Sequence, residues 1–246
     1  MSAVRKRLTH PYRRFPCREV NQGRRRLGIV NLLPTGVWQS LLRKGRASRY
    51  SQGQVLMRQG ERGTHVLLLT SGLVKVSRVE PDGRQLLLAV RGPGEALGEM
   101  SAWDDSHRSA TVEAIAPCIA YVLSAAQFRR AVHELDASDV LFRHVLQRLR
   151  EGEDIRAELV GPSAMQRVVN VLLRLAHSVA PELSSTVTLG LGQEDMARAA
   201  GLSRSAFTAE LAALRRCGLV STSRQRVVLH DLAKLRALAE ETRPAT

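Results

Sequence analysis

The sequence predicts an α+β chain: an antiparallel β-roll of the jelly-roll or double-stranded β-helix type, one long amphipathic helix, and a C-terminal winged helix-turn-helix. Three observations predict it. Short apolar runs with a period near two fill residues 52–123, the period changes to about 3.6 from Asp136, and two short helical patterns joined by a tight turn occupy 193–217. At 246 residues and 44% apolar content the chain is long for one domain and can bury more than one core. The expected parts are a basic tail over 1–30, a β-roll over 31–135, a helix and hinge over 136–162 and a winged unit over 163–246.

The strands expected in the β-roll are 54–57, 65–70, 73–78, 85–90, 110–114 and 119–123, with glycines at 53, 60, 72, 83 and 94 between them. Pro81-Asp82-Gly83 reads as a turn: proline fixes φ, aspartate bonds back to the main chain, and glycine is free to take φ > 0. Helical patches at 36–44 and 124–133 flank the roll. From Asp136 onward, Leu141, Val145, Leu149, Gly152, Ile155 and Leu159 follow one another at steps of three or four along one face. A seam this narrow suits a dimer interface; the alternative is packing against the chain's own β-roll. Gly161-Pro162 breaks the helix, and Ser163 with Gln166 has the spacing of a capping box opening the next one.

Residues 193–199, 200–202 and 203–216 read as helix, tight turn and helix, the second capped by Ser203 and ended at Cys217-Gly218. Apolar Met196, Ala197, Ala200, Leu202, Phe207, Leu211 and Leu214 can pack the two helices, which leaves Ser203, Arg204, Ser205, Thr208 and Ala209 outside. That face suits the major groove of double-stranded DNA. Arg204 can make a bidentate contact with guanine, whereas Ser205 and Thr208 suit phosphates or degenerate base contacts. A hairpin follows, its tip carrying Ser223, Arg224, Gln225 and Arg226, and Arg224 and Arg226 suit the adjacent phosphate backbone. The alternative is a helical unit used only for protein contacts.

Charge and cysteine content set limits. Up to Arg26 there are nine Lys or Arg and one acid, Glu19, so a tenth of the chain carries +8 of its +14. This tail is expected to be disordered and able to meet phosphates; a solvated tail or a mis-assigned start codon is the alternative. No uncharged apolar run approaches the roughly 20 residues of a membrane helix, and the Arg-rich start lacks the apolar stretch of a signal peptide, so a cytoplasmic protein is expected. Cys17, Cys118 and Cys217 lie far apart, and neither a disulfide framework, a thiolate cluster nor any other metal site is expected. No catalytic motif occupies the chain, so it is not read as an enzyme.

Leu97-Gly98-Glu99-Met100, followed eight residues later by Arg108-Ser109-Ala110, has the chemistry of an anion site with a second handle. Gly98 permits close backbone approach, Arg108 offers a fork of donors, Ser109 a hydroxyl, and Glu99 can accept from a sugar hydroxyl. The alternative is a structural ion pair between Arg108 and Glu99.

The order of these motifs resembles the cyclic-AMP receptor protein and fumarate-nitrate regulator family of bacterial transcription factors. The residues that carry the likeness are G-Q-x-L-x-x-Q-G-E at 53–61, S-G-x-V-K-V at 71–76, D-G-R at 82–84, G-P-G-E-x-L-G-E-M at 92–100, R-S-A at 108–110 and Q-E-D-M-A-x-x-A-G-L-S-R at 193–204. The resemblance spans about residues 31–240. It implies a homodimer on a palindromic operator, working with RNA polymerase on the bacterial nucleoid, and a cyclic-nucleotide-binding-type β-roll that controls the reading heads. By the same resemblance Gly98 and Glu99 form the ribose side and Arg108 and Ser109 the phosphate clamp, with Met100 and Ala110 also lining the site, for cAMP, cGMP or a cyclic dinucleotide. Where cAMP-binding relatives carry a Thr on the long helix, this chain has Gly152. The alternative within the family is a constitutive regulator with a vestigial pocket.

Overall fold

The computed structural model describes residues 28–180, 186–223 and 226–241; most of the basic tail, with Cys17, and the hairpin-tip residue Arg224 lie outside the described residues. Ile29, assigned above to the tail, is instead buried in the β-roll core, and Val30 N–H donates to Gly94 O at 3.0 Å. The folded part therefore reaches back at least to Gly28.

Two antiparallel four-stranded sheets form the roll. Strands β1 (Arg46–Tyr50), β8 (Cys118–Ser124), β3 (His65–Ser71) and β6 (Glu95–Leu97) lie side by side in one, and β2 (Val55–Met57), β7 (Thr111–Ala114), β4 (Val74–Val79) and β5 (Gln85–Arg91) in the other. The continuous run Val66-Leu67-Leu68-Leu69 explains how β3 serves both its faces. With side chains alternating across a strand, Leu67 and Leu69 fill the interior with Leu56, Met57, Leu97 and Val112, while Val66 and Leu68 pack outward under helices. Those helices are α1 (Val37–Lys44), α3 (Ala125–Glu134) and the start of α4 (Ser138–Val160), which contribute Leu41, Phe128, Val132 and Leu141. Ser124 opens α3 with a complete capping box to Gln127. The expected Pro81-Asp82-Gly83 turn forms, with Arg84 N–H donating to Asp82 Oδ1 at 3.0 Å.

Helix α4 starts at Ser138, because Asp136 takes a left-handed φ of 49° and ends the preceding turn. After the Gly161-Pro162 break comes α5 (Ala164–Val179). Its Ser163 cap accepts from Gln166 N–H at 3.3 Å, but the Gln166 side chain donates to Ala239 O rather than back to Ser163, so only half of the expected capping box is present. The winged unit is completed by β9 (Val187–Leu189), α6 (Gln193–Ala199), α7 (Arg204–Arg216), β10 (Val220–Ser223), β11 (Arg226–Leu229) and α8 (Leu232–Glu241), with strand order β10-β11-β9. Leu87 and Val90 of β5 join the apolar cluster of Val168, Leu172, Leu175 and Phe207, so the roll and the winged unit share one core. At its edge Lys75 Nζ sits 3.4 Å from Glu113 and 3.1 Å from Asp195 of α6, and Arg198 of α6 donates to Gln85 at 2.6 Å. The short elements β1, β6, β9 and α2 (Glu99–Trp103) are absent from the sequence reading because each is too brief or too polar to show a period; α8 is absent too, although its Leu232, Leu235 and Leu238 at steps of three are a helical signal.

Gly72 makes the β3–β4 turn at φ +84°, where a Cβ would lie 2.2 Å from Pro117 O and 2.7 Å from Cys118 Cα. Gly72→Ala should therefore destabilise the roll by roughly 1–3 kcal/mol or more, and Gly83→Ala, equally left-handed but in open space, by less. Both tryptophans, Trp38 and Trp103, lie in the roll, so urea unfolding followed by their fluorescence measures the difference.

Candidate effector site and DNA-reading surface

Gly98 takes φ +77° at the end of β6 and turns the chain into α2. Its carbonyl accepts from Arg108 Nη1 at 2.7 Å, and the same nitrogen donates to Ser101 Oγ at 2.7 Å while Nη2 donates to His65 O. A Cβ on residue 98 would lie 2.2 Å from Arg108 Nη1, so glycine is required both by the backbone and by the guanidinium beside it. Arg108 is only 4% exposed, and both of its terminal nitrogens donate to protein acceptors. Burial lowers its pKa, an effect that the charges of Glu99 and Glu61 oppose. Ser109 and Met100 are exposed and Ala110 is half-buried at the rim.

Glu99 is not paired with Arg108. It faces α4, where His144 Nε2 stands 3.4 Å and Arg148 Nε 4.0 Å from Oε1. Arg148 also donates to Glu95 at 2.9 Å and lies 3.9 Å from Glu151, which takes a 2.5 Å bond from Arg91. Three residues of the roll (Arg91, Glu95, Glu99) thus meet three on one face of α4 (His144, Arg148, Glu151) in a buried seam of alternating charge. The sequence reading missed it, although the i, i+4, i+7 spacing of His144, Arg148 and Glu151 is its signal. Burial pushes the Glu99 pKa up, but His144 and Arg148 outweigh it and hold the carboxyl below its ordinary value. Burial likewise brings Arg91 down to about 10, leaving it charged at neutral pH. Among the described residues no three His, Cys, Asp or Glu side chains converge as a metal site.

In the winged unit, Ser203 Oγ caps α7 by accepting from Ala206 N–H at 3.2 Å. Phe207, Leu211 and Leu214 are buried against α6, whereas Arg204, Ser205, Thr208 and Ala209 are exposed along the opposite face. Thr208 bonds to Arg204 O at 2.8 Å and to Gln193 at 3.3 Å, tying α7 to α6. Arg226 is exposed at the hairpin beside the undescribed tip.

Residues 47–134 match the model of the cyclic nucleotide-binding domain, and residues 166–238 that of the Crp-like helix-turn-helix domain. The cyclic AMP receptor protein of Thermus thermophilus is 30% identical over 77% of this chain and 86% of its own. The CRP-like cAMP-activated global transcriptional regulator of Mycobacterium tuberculosis is 27% identical over 85% of this chain and 95% of its own. This chain belongs to the CRP/FNR family of transcriptional regulators. A solved CRP-family regulator from Thermus thermophilus superposes with a TM-score of 0.66 at 27% identity, over 80% of this chain and all of that one. The c-di-GMP-responsive regulator CLP of Xanthomonas campestris shares the fold at 24% identity and a TM-score of 0.68, over 80% and 99%. Regulators of this family are not enzymes, in keeping with the reading of the sequence.

The long helix of this CRP/FNR member departs from the expected seam. Leu141 is buried in its own roll with Val140 and His144, and Leu159 packs on the helix-turn-helix turn, its Cδ2 2.8 Å from where a Cβ on Gly201 would sit. Val145, Gly152 and Ile155 are half-buried. The exposed apolar line is instead Phe142, Leu149 and Val160, at 63%, 57% and 88%. At 100° per residue the three fall within roughly 20° of one another. Leu149 belongs both to the expected seam and to this line, whereas the first and last members of the seam, Leu141 and Leu159, are spent inside the protomer. Next to Leu159, Glu158 pairs with Arg174 at 2.7 Å, Arg174 donates to Ala199 O at 3.3 Å, and Arg167 donates to Gly201 O at 3.3 Å. The end of α4 is thereby fastened to the turn between α6 and α7. Among the described residues no helix is long and apolar enough to cross a membrane.

Because the folded pKa of Glu99 lies below its unfolded value, the stability it contributes is fully present above the unfolded carboxyl value, about 4.3, and is lost as pH falls through the lowered one. Acid titration followed by tryptophan fluorescence should show that loss in the wild type and a shallower one in Glu99→Gln.

Proposed function

We propose that the protein is a homodimeric, sequence-specific DNA-binding regulator of transcription. Two copies meet along the Phe142, Leu149 and Val160 line of α4 and present two α7 helices to a palindromic operator. The observation that carries this reading is the division of α7: a buried apolar face, and an exposed outer face of Arg204, Ser205 and Thr208 that suits the major groove. Ser203 caps the helix that presents them, and Arg226, with Arg224 beyond the described residues, suits the flanking phosphates. Exposed Phe and Leu one heptad apart on a 23-residue helix support the dimer. RNA polymerase as a partner and action on the nucleoid in the cytoplasm follow from the same reading.

The β-roll holds the effector, a cyclic nucleotide or cyclic dinucleotide, with Arg108 and Ser109 toward the phosphate and Gly98 and Glu99 toward the sugar; Met100 and Ala110 flank them. The names of the two cAMP-linked relatives support a nucleotide of this class. Such an effector acts by binding one arrangement of α4 more tightly than another, and shifts the population only by that difference. The route to DNA is the grip of Glu158 and Leu159 on the α6–α7 turn. A second reading, a ligand-independent regulator, is favoured by the engagement of Arg108 and Glu99 with protein groups. Operator binding that is full without nucleotide and unchanged by cAMP, cGMP or a cyclic dinucleotide decides for it.

Arg204→Ala should weaken binding to the cognate operator by roughly 1–3 kcal/mol and random DNA much less; equal loss on both makes Arg204 a phosphate contact only. Leu149→Asp should give a monomer in analytical ultracentrifugation at micromolar concentration, with operator affinity lost in the same sample.

A further inference from the structure

Helix α7 closes on two exposed arginines, Arg215 and Arg216. Cations in the last turn of a helix ordinarily serve its end carbonyls. Here the main chain has taken those carbonyls: Cys217 N–H donates to Ala213 O at 3.2 Å, Leu219 N–H to Leu214 O at 3.0 Å and Gly218 N–H to Arg215 O at 3.0 Å. Arg215 instead reaches across to β10, where its Nη1 donates to Thr222 Oγ1 at 3.4 Å. Among the described residues neither arginine forms an ion pair with a carboxylate, whereas Arg91, Arg148, Arg174 and Arg198 all do. At about 100° and 1.5 Å per residue, Arg215 falls roughly 20° from Arg204 around the axis of α7 and roughly 16 Å farther along it, while Arg216 lies off that line.

We propose, resting on the DNA-binding reading above, that Arg215 is a phosphate contact at the wall of the major groove, held in place by Thr222. The first residues of a reading helix meet base edges, and the groove is only about 12 Å wide. With Arg204 at the bases, a side chain three turns farther along the same line has passed the base edges and stands where the sugar-phosphate backbone runs. The hairpin supports it there: Thr222 pairs with Val227, the neighbour of Arg226, so the wing that carries one proposed phosphate contact also positions the other. A guanidinium with no carboxylate to satisfy keeps its charge for the DNA. Phosphate contacts orient a reader without carrying sequence information, so Arg215 adds affinity on every duplex alike.

Because the contact is independent of sequence, its test needs no operator: fluorescence anisotropy of a labelled random-sequence duplex with the full-length protein, over a series of salt concentrations. Arg215→Gln should bind roughly five- to tenfold more weakly at about 0.1 M salt, and the slope of log affinity against log salt should become shallower by about 0.9 for each protomer engaged. Arg215→Lys, which keeps the charge, should retain most of the slope. Thr222→Val, which removes only the acceptor, should lose affinity by a smaller factor than Arg215→Gln; no loss overturns the hold by Thr222. Arg49→Gln deletes the same charge from an exposed arginine of β1 and should leave the slope unchanged. An equal fall in Arg49→Gln makes the effect one of net charge and overturns the contact. A wild-type slope in Arg215→Gln also overturns it and leaves the DNA-binding reading standing. A wild type that binds no duplex at low salt overturns that reading and the contact with it.

Discussion

The structure depends on one constraint: α4 must place charged side chains against the β-roll without leaving any of them unpaired in a dry interface. Isolated buried charges are costly, and breaking one member of a buried pair is strongly destabilising. Arg91, Glu95 and Glu99 on the roll and Arg148 and Glu151 on the helix meet this constraint by pairing opposite charges, and His144 Nε2 lies 3.4 Å from Glu99. The pairing fixes the rotation of α4 about its axis. With that rotation set, Leu141 must go into the core, Phe142 and Leu149 must face outward, and Leu159 must reach Gly201.

The same arrangement links the candidate effector site to α7. Glu99 opens α2 directly after Gly98, and Gly98 is shaped around Arg108, so the candidate anion clamp and the seam share two adjacent residues. At its far end α4 is tied to the α6–α7 turn by Glu158, through Arg174 to Ala199 O, and by Leu159 against Gly201. A second connection runs across β5, where Leu87 and Val90 enter the winged core and Lys75 holds Asp195. The reading helix is thus positioned by the helix and the sheet of the roll together, and a change at Glu99 can reach it only by moving elements that are packed as single units.

Much of this was legible in the sequence, and the legible part has a common cause: local, periodic signals. The runs of β3, β4 and β5, the turn at Asp82, the caps at Ser163 and Ser203 and the helices at 193–199 and 203–216 depend on neighbours within a few residues. The strands β1, β6 and β9 were not legible, because three to five residues of mixed polarity acquire their identity from the strands they pair with. Of the seam read at 141–159, Leu141 is buried in the chain's own roll and Leu159 packs at Gly201, while Leu149 is exposed. A heptad pattern states that an apolar stripe exists, and two neighbours, the chain's own roll and a partner, compete for it.

The sequence alone determined the element order, the division into roll, helix and winged unit, and the residue types gathered at Gly98–Glu99 and Arg108, since spacing and composition encode each of these within a short window. The tertiary structure alone decided which acceptor each charge takes. Arg108 donates to Gly98, Ser101 and His65, and Glu99 faces His144 and Arg148, because those partners lie 7 to 49 residues distant along the chain and become neighbours only when the roll forms and α4 closes on it.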